Sequence, residues 1–306
     1  MKKVLVIHYS QSGQLSSVVQ HFTQALVDSD NISVTFENIV PGVEYPFPWP
    51  FFRFLDTFPE AVYLDAPPPL PLRVAEDEDF DLIILAYQVW FLSPSLPITG
   101  FLQSPVAARL LKNKPVITLI ACRDMWLMAQ EEMKTMLHNL GAKLVGNVAL
   151  VDEAGSIGSF LATPAWVLSG KRGPHLGGLI PRAGVADADI VNCQRFGERL
   201  VQRLSDDSPL EPDLLCNLNA VRVNETLISS EKTARRAFRL WGKLLRSLGP
   251  SGSIKRKPVL LIYVVFLSTM IITVVPLGIL IKKLLTPLTR QRIAQQKAYF
   301  GKPSGS

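Results

Sequence analysis

Short runs of Val, Ile and Leu, separated by stretches with helical spacing, recur along the first half of the chain. No other feature narrows the possible folds so far. Val4–Tyr9, Ile32–Asn38, Asp81–Val89 (DLIILAYQV), Pro115–Cys122 (PVITLIAC) and Lys143–Leu150 are continuous apolar runs, not alternating ones. That is the pattern of strands covered on both faces. Between them lie helical patterns at Leu15–Ser29, Ile98–Lys112 and Met125–Leu140, and another at Ala188–Leu204 closes the series. Strands and helices in alternation give a parallel sheet. Five such strands predict a three-layer, doubly wound α/β domain. The start, MKKVLVIHYS, has too short an apolar core for a signal peptide and reads as the first strand.

The charge is divided between two regions. From Leu218 onwards there are 16 Lys and Arg against two acids, Glu225 and Glu231, whereas residues 1–217 carry a net negative charge. Nucleic-acid binders place positive charge on a folded surface with aromatics or recognition helices, whereas here it flanks an apolar run, which argues against nucleic acid as a partner. Three cysteines (Cys122, Cys193, Cys216) without ligand-type spacing fit a reducing compartment and predict neither a disulfide framework nor a metal site. Pro258–Ile281 is uncharged throughout. As one helix it would be about 36 Å long, enough for a hydrocarbon core of roughly 30 Å. The expectation is a single membrane-spanning helix with the large domain on the cytoplasmic face. A re-entrant segment is the alternative, because Pro276 and Gly278 interrupt the run. Upstream, Ser230–Leu248 places Ala234, Ala237, Phe238, Trp241, Leu244, Leu245 and Leu248 on one helical face and cations on the other, the pattern of a helix lying in a bilayer interface. The expected organisation is therefore a domain over 1–217, a basic amphipathic region over 218–257, the apolar segment 258–281 and a basic tail over 282–306.

The first strand-to-helix turn, Ser10-Gln11-Ser12-Gly13-Gln14, lacks both GxGxxG and GxxxxGK[ST]. It offers short hydroxyl side chains, a glycine and the N–H groups of a helix start, which can hold a phosphate dianion without lysine; a plain capping turn is the other reading. YSQSGQ after a first strand resembles the phosphate loop of flavodoxin-like FMN proteins, with Gln14 where a hydroxyl residue is usual. Gln88, Val89, Trp90 and Phe91 resemble the flavin-packing loop of FMN reductases, and Cys122, Arg123 and Trp126 stand in the second ring-contacting loop. More narrowly, KVLVIHYSQSGQL, YPFPWPFF, LAYQVWFLSPSLPI, ACRDMWLMAQ and GAKLVGNVALVD resemble flavodoxin-like proteins labelled dialkylresorcinol condensing enzymes. The resemblance implies a flavodoxin-like sheet, FMN as cofactor and the oxidation of a condensed ring to an aromatic one beside a ketosynthase partner.

Two inserts extend this plan. Residues 41–80 hold nine aromatic residues among prolines, and read as a wall or lid of an apolar substrate pocket or as a core-covering loop. Residues 151–187 carry Lys171, Arg172 and His175 on a glycine-rich loop that either binds NADPH or a substrate enolate, or forms a solvated basic turn. Arg123 is the expected electrostatic partner of a reduced flavin, and Asp124, His175 and Tyr87 are the candidate bases, among which the sequence does not choose. The leading expectation is a membrane-anchored FMN oxidoreductase acting on an apolar or lipid-derived ring. An NAD(P)H–quinone reductase and a non-enzymatic electron carrier or membrane scaffold are the alternatives.

Overall fold

The computed structural model describes residues 1–212 and 214–302, apart from the side chains of 156–157, 274–276 and 279–289. The tail's last residues, 303–306, lie outside it. All five expected strands form: β1 (Lys2–His8), β2 (Ile32–Asn38), β3 (Leu82–Trp90), β5 (Pro115–Cys122) and β6 (Lys143–Val151). A two-residue β4 (Ser93–Pro94) folds back antiparallel on the end of β3. The sheet order is β2-β1-β3-β5-β6, every long pair parallel. Because Val4, Leu5, Val6 and Ile7 are all buried, neither face of β1 meets water.

Helices cover the two faces. On one lie α1 (Gln14–Val27), α7 (Asp187–Asn192) and α8 (Gln194–Ser205), whose Val18, Phe22, Phe196 and Leu200 meet Val4, Val6 and Ile84. On the other lie α3 (Leu96–Leu102), α4 (Pro105–Leu111) and α5 (Leu127–Asn139), packed over Leu5, Ile83 and Leu85. The pattern expected as one helix over 98–112 is two, because the Ser104 hydroxyl caps a new helix with Pro105 in its first turn.

Insert 41–80 folds around α2 (Phe51–Tyr63), and insert 151–187 around α6 (Gly155–Ser169). Downstream, the Ala149 N–H bonds the Ala220 carbonyl at 2.9 Å, so the chain beyond residue 217 lies against β6. The amphipathic stretch forms α9 (Glu225–Ser247). Its apolar face, expected in a bilayer interface, packs instead on the protein: Ile228 joins the main core, while Phe238, Trp241 and Leu245 meet Phe58 and Val62 of α2.

The expected spanning helix is not there. The uncharged run is divided at Thr273 between α10 (Arg256–Ile272) and α11 (Val274–Gly301), and no described helix is long and apolar enough to cross a membrane. At 17 residues, α10 reaches about 25 Å. The Thr269 and Thr273 hydroxyls donate to carbonyls four residues back, at 2.8 and 2.7 Å, a bond that bends helices. Beyond the break the chain returns, and Phe300 is buried in the core beside α5 and α9.

Candidate functional site

The loops leaving β1, β3 and β5 meet at the carboxyl edge of the sheet, on both sides of the point where the strand order reverses. Open α/β sheets bind ligands at that place. The first loop ends in Gly13, whose φ of 81° lies in the left-handed region and where an added Cβ would meet nothing within 4 Å. Gly13 caps α1 without any side-chain hydrogen bond, so the helix start keeps its positive end uncovered by side chains. Beside it the Ser10 hydroxyl is buried and has no partner. A buried unpaired hydroxyl costs about 1–3 kcal/mol, which an anion seated on the loop would recover. Backbone donors, a hydroxyl and a helix dipole are the donor set for a phosphate dianion, and the residues present fit one.

Gln11 ties this loop to its neighbours. Its N–H donates to Gln88 Oε1 at 3.3 Å, and its side-chain amide donates to the Pro46 carbonyl at 3.2 Å. Ser12 stands between Gln11 and Gly13 on the rim, partly exposed. Gln14 does not face the cradle: its amide donates to the Val185 carbonyl (3.2 Å) and accepts the Val185 N–H (3.0 Å). Gln14 thus serves to fasten the second insert.

The second loop is a tight hairpin. Val89 pairs with Pro94 and Trp90 with Ser93, leaving Phe91 and Leu92 at φ 50° and 63°. Two successive left-handed residues favour Gly or Asn, and side chains there cost roughly 1–2 kcal/mol each. Phe91 offsets this by packing on Phe54 and Phe58 of α2, with centroids 5.1 and 5.4 Å apart. Trp90 meets Tyr9, Tyr45 and Trp49 edge-on at 6.2, 5.1 and 5.7 Å. The first insert therefore supplies an aromatic wall to this edge. Burial pushes the Tyr9 phenol up to about 12 and raises Tyr45 further, so both stay protonated.

The third loop places its residues unequally. Trp126 is 2 % exposed and belongs to the core beneath the edge, not to an open ring-stacking face. The Cys122 thiol turns toward the Leu150 carbonyl at 3.8 Å, and burial raises its pKa well above the ordinary value. Arg123 is half-buried with its guanidinium 4.2 Å over the Phe160 ring and 3.4 Å from Met125 Sδ. Burial lowers its pKa, against the nearby charges of Asp124 and Asp152. It forms no ion pair within 4 Å among the described residues, so a cation stands at the edge without a bound counter-charge. Asp124 accepts a bond from Asn224 Nδ2 at 3.1 Å, just ahead of α9.

The other candidate bases are committed elsewhere. Tyr87 is fully buried, donating to Gln130 Oε1 at 2.7 Å. The His175 ring lies 3.0 Å from the Lys171 carbonyl. Arg172 holds the second insert together through Asp187 and the Ala183 and Val185 carbonyls. Asp152 anchors the same insert by accepting the Gly184 N–H at 2.8 Å and the Ala154 N–H at 2.7 Å.

Sequence reasoning missed Glu231. Its carboxyl is wholly buried, with Oε1 accepting the Met128 N–H at the start of α5 (2.7 Å) and Oε2 without a partner. Burial pushes its pKa up to about 8, with Asp124 adding to the rise and Arg123 opposing it. The signal was present: Glu231 is the acid seven residues before Phe238, on the apolar stripe of a helix rich in cations.

No family model and no curated protein matches the sequence. Among solved structures the chain is similar to a flavoprotein in complex with FMN from Lactobacillus acidophilus NCFM, at 16% identity and a TM-score of 0.40 over 49% of this chain and 93% of that one. It is similar to a flavodoxin from the domain Archaea at 12% identity and a TM-score of 0.38, covering 67% of this chain and 99% of that one. A putative flavoprotein from Bacteroides uniformis ATCC 8492 gives 17% identity and a TM-score of 0.37, over 55% of this chain and 96% of that one. Counting only its long strands, the sheet runs 2-1-3-4-5. The fold is flavodoxin-like.

Proposed function

We propose that the chain binds FMN at the carboxyl edge of its sheet and works as a flavin-dependent oxidoreductase on an apolar or lipid-derived ring. One observation carries the reading: a buried, unpartnered Ser10 hydroxyl beside the start of α1, which no side chain caps by a hydrogen bond, in the loop that leaves the first strand. Bound there, FMN supplies a ring that takes up or gives back two electrons. Ser10, Ser12 and the N–H groups of Gly13 and Gln14 hold its phosphate. Gln88, Val89, Trp90 and Phe91 line the ring side, where the wall of Tyr45 and Trp49 excludes water. Arg123, without an acid partner, faces the negative charge that a reduced ring carries. Asp124 serves as the proton acceptor, positioned by Asn224.

In its most specific form the reading is the oxidative aromatisation of a condensed alkyl ring, next to a ketosynthase and at the cytoplasmic face of a membrane. NADPH is the candidate reductant in the reverse direction. Absorption of the purified full chain tests the cofactor, and a flavin spectrum is expected as isolated or after reconstitution. The pair Ser10→Ala and Ser12→Ala should weaken FMN binding at least about a hundredfold, as the loss of two hydrogen bonds to a charged group does. Anaerobic mixing with an alkyl cyclohexenone, and separately with NADPH, then shows which one bleaches the flavin. Failure to take up flavin under any condition overturns the proposal.

A further inference from the structure

The uncharged run gains a different meaning from its bend. Lys255 and Lys257 stand at the near end of α10, and Lys282 and Lys283 follow the run on α11. The near end is anchored by Arg256, which is 1 % exposed and bound to Asp56 and Glu60 of α2. The far end is anchored by Phe300 in the core and by the Tyr299 hydroxyl on Glu131 of α5. Between these anchors the chain runs out to Thr273 and back.

The two faces of α10 differ only in what covers them. Leu260 and Tyr263 are buried against α2 and α9, whereas Leu261, Ile262, Val265 and Ile272 are exposed, Val265 at 66 % and Ile272 at 73 %. An outer face this apolar, on a helix with no charge between Pro258 and Ile272, is poorly suited to water. The same face continues onto α2, where Phe51 and Phe52 are exposed and the Lys257 ammonium lies 5.8 Å over the Phe52 ring. At the bend the Thr273 N–H reaches the Thr269 carbonyl (2.9 Å), and both threonine hydroxyls are bonded within the helix. Backbone breaks enter hydrocarbon only when their polar groups are satisfied internally.

We infer that α10, the Thr273 bend and the start of α11 form a wedge that enters one leaflet of a lipid bilayer. Phe51 and Phe52 meet the surface beside it, and Lys255 and Lys257 at the near end of the run contact anionic headgroups. Charge complementarity selects this occupant: Lys255 and Lys257 precede the uncharged run and the chain carries no acid after Glu231, and anionic lipid attracts such segments. The uncharged part of α11 ahead of Lys282 reaches about 12 Å, close to one leaflet, half of a hydrocarbon core of roughly 30 Å. The inference stands apart from the flavin.

Flotation of the full chain with vesicles tests it. Binding is expected to phosphatidylcholine mixed with phosphatidylglycerol, and to weaken at least tenfold on phosphatidylcholine alone or in high salt. Joining Ile262→Asp to Val265→Asp, both at exposed positions, should abolish flotation while circular dichroism and thermal melting stay as in the parent. Lys255→Gln with Lys257→Gln should shift binding toward higher phosphatidylglycerol content. No flotation on either vesicle, or flotation indifferent to the two aspartates, overturns the wedge. So does a vesicle-free dimer that the aspartates dissociate, which assigns the face to a second copy.

Discussion

At the scale of single residues, Glu231 joins α9 to the candidate site. The folded chain keeps its proton up to about pH 8, against 4.5 for an ordinary glutamate. Between those values the folded state binds more protons than the unfolded one, so stability falls as pH rises through that window. Glu231→Gln keeps the oxygen that accepts from Met128 and removes the ionisation. The variant should lose this slope and be more stable than the parent above the window, by on the order of a few kcal/mol; thermal melts on both sides of the window measure the difference. A slope unchanged in the variant would show that Glu231 does not titrate there. Arg123 belongs to the proposed redox step: Arg123→Gln should lower the flavin potential by about 30–60 mV, where 30 mV is about 1.4 kcal/mol for two electrons, and Arg123→Lys should recover part of it. The residue types of this edge were readable because a phosphate loop needs hydroxyls and glycine near a helix start. The directions of Gln14, Cys122 and Trp126 were not, because they depend on partners far along the chain, Val185 for Gln14 and Leu150 for Cys122.

Among elements, legibility follows how local the cause is. Continuous Val, Ile and Leu runs define the buried parallel strands, and all five appear within two residues of their expected bounds. The division at Ser104-Pro105 was written locally and overlooked. The division at Thr273 is only half written: helical hydroxyls permit a bend, but returning Phe300 to the core decides it. The packing of α9 depends on α2, whose helical spacing of Phe51, Phe54, Leu55, Phe58, Ala61 and Val62 was written locally and overlooked among the prolines of its insert. Close approach of α1 and α8 rests on Gly197, where an added Cβ would stand 2.1 Å from the Phe22 carbonyl oxygen. Backbone cannot yield as a side chain can, so Gly197→Ala should cost more than about 2 kcal/mol. Gly242→Ala in α9 places its methyl 3.1 Å from a Tyr63 ring carbon, and a ring can turn. It should cost about 1 kcal/mol or less. Denaturant melts of the two variants side by side check the ordering, and equal losses would mean that α1 and α8 can separate without penalty.

For the molecule as a whole, the question is whether the carboxyl-terminal third is an appendage or part of one cooperative body. Composition suggests the first, since charge reverses sign near residue 217. Packing argues for the second. The Ala220 carbonyl takes the Ala149 N–H at the outer edge of β6, Ile228 and Phe300 are buried in the main core, and Glu231 caps α5. Arg256 meets Asp56 and Glu60 in an almost dry site, and losing one side of such a pair costs about 3–5 kcal/mol. A chain ending at Asn217 should therefore bind hydrophobic dye and melt without a sharp transition, because it uncovers both the β6 edge and the core beside α5. A chain ending at Ser253 keeps α9 and should melt cooperatively but less stably by more than the cost of that ion pair, because buried Leu260, Tyr263 and Phe300 are lost with it. If the shorter chain melted as sharply and as high as the full one, the contacts of α9 and α11 would contribute no net stability. The helices that carry the proposed lipid wedge would then be coupled to the loops of the sheet edge by proximity alone. If it fails as expected, α9 belongs to the same cooperative body as the sheet, tied to the 123–128 segment by the bonds of Asn224 to Asp124 and of Glu231 to Met128.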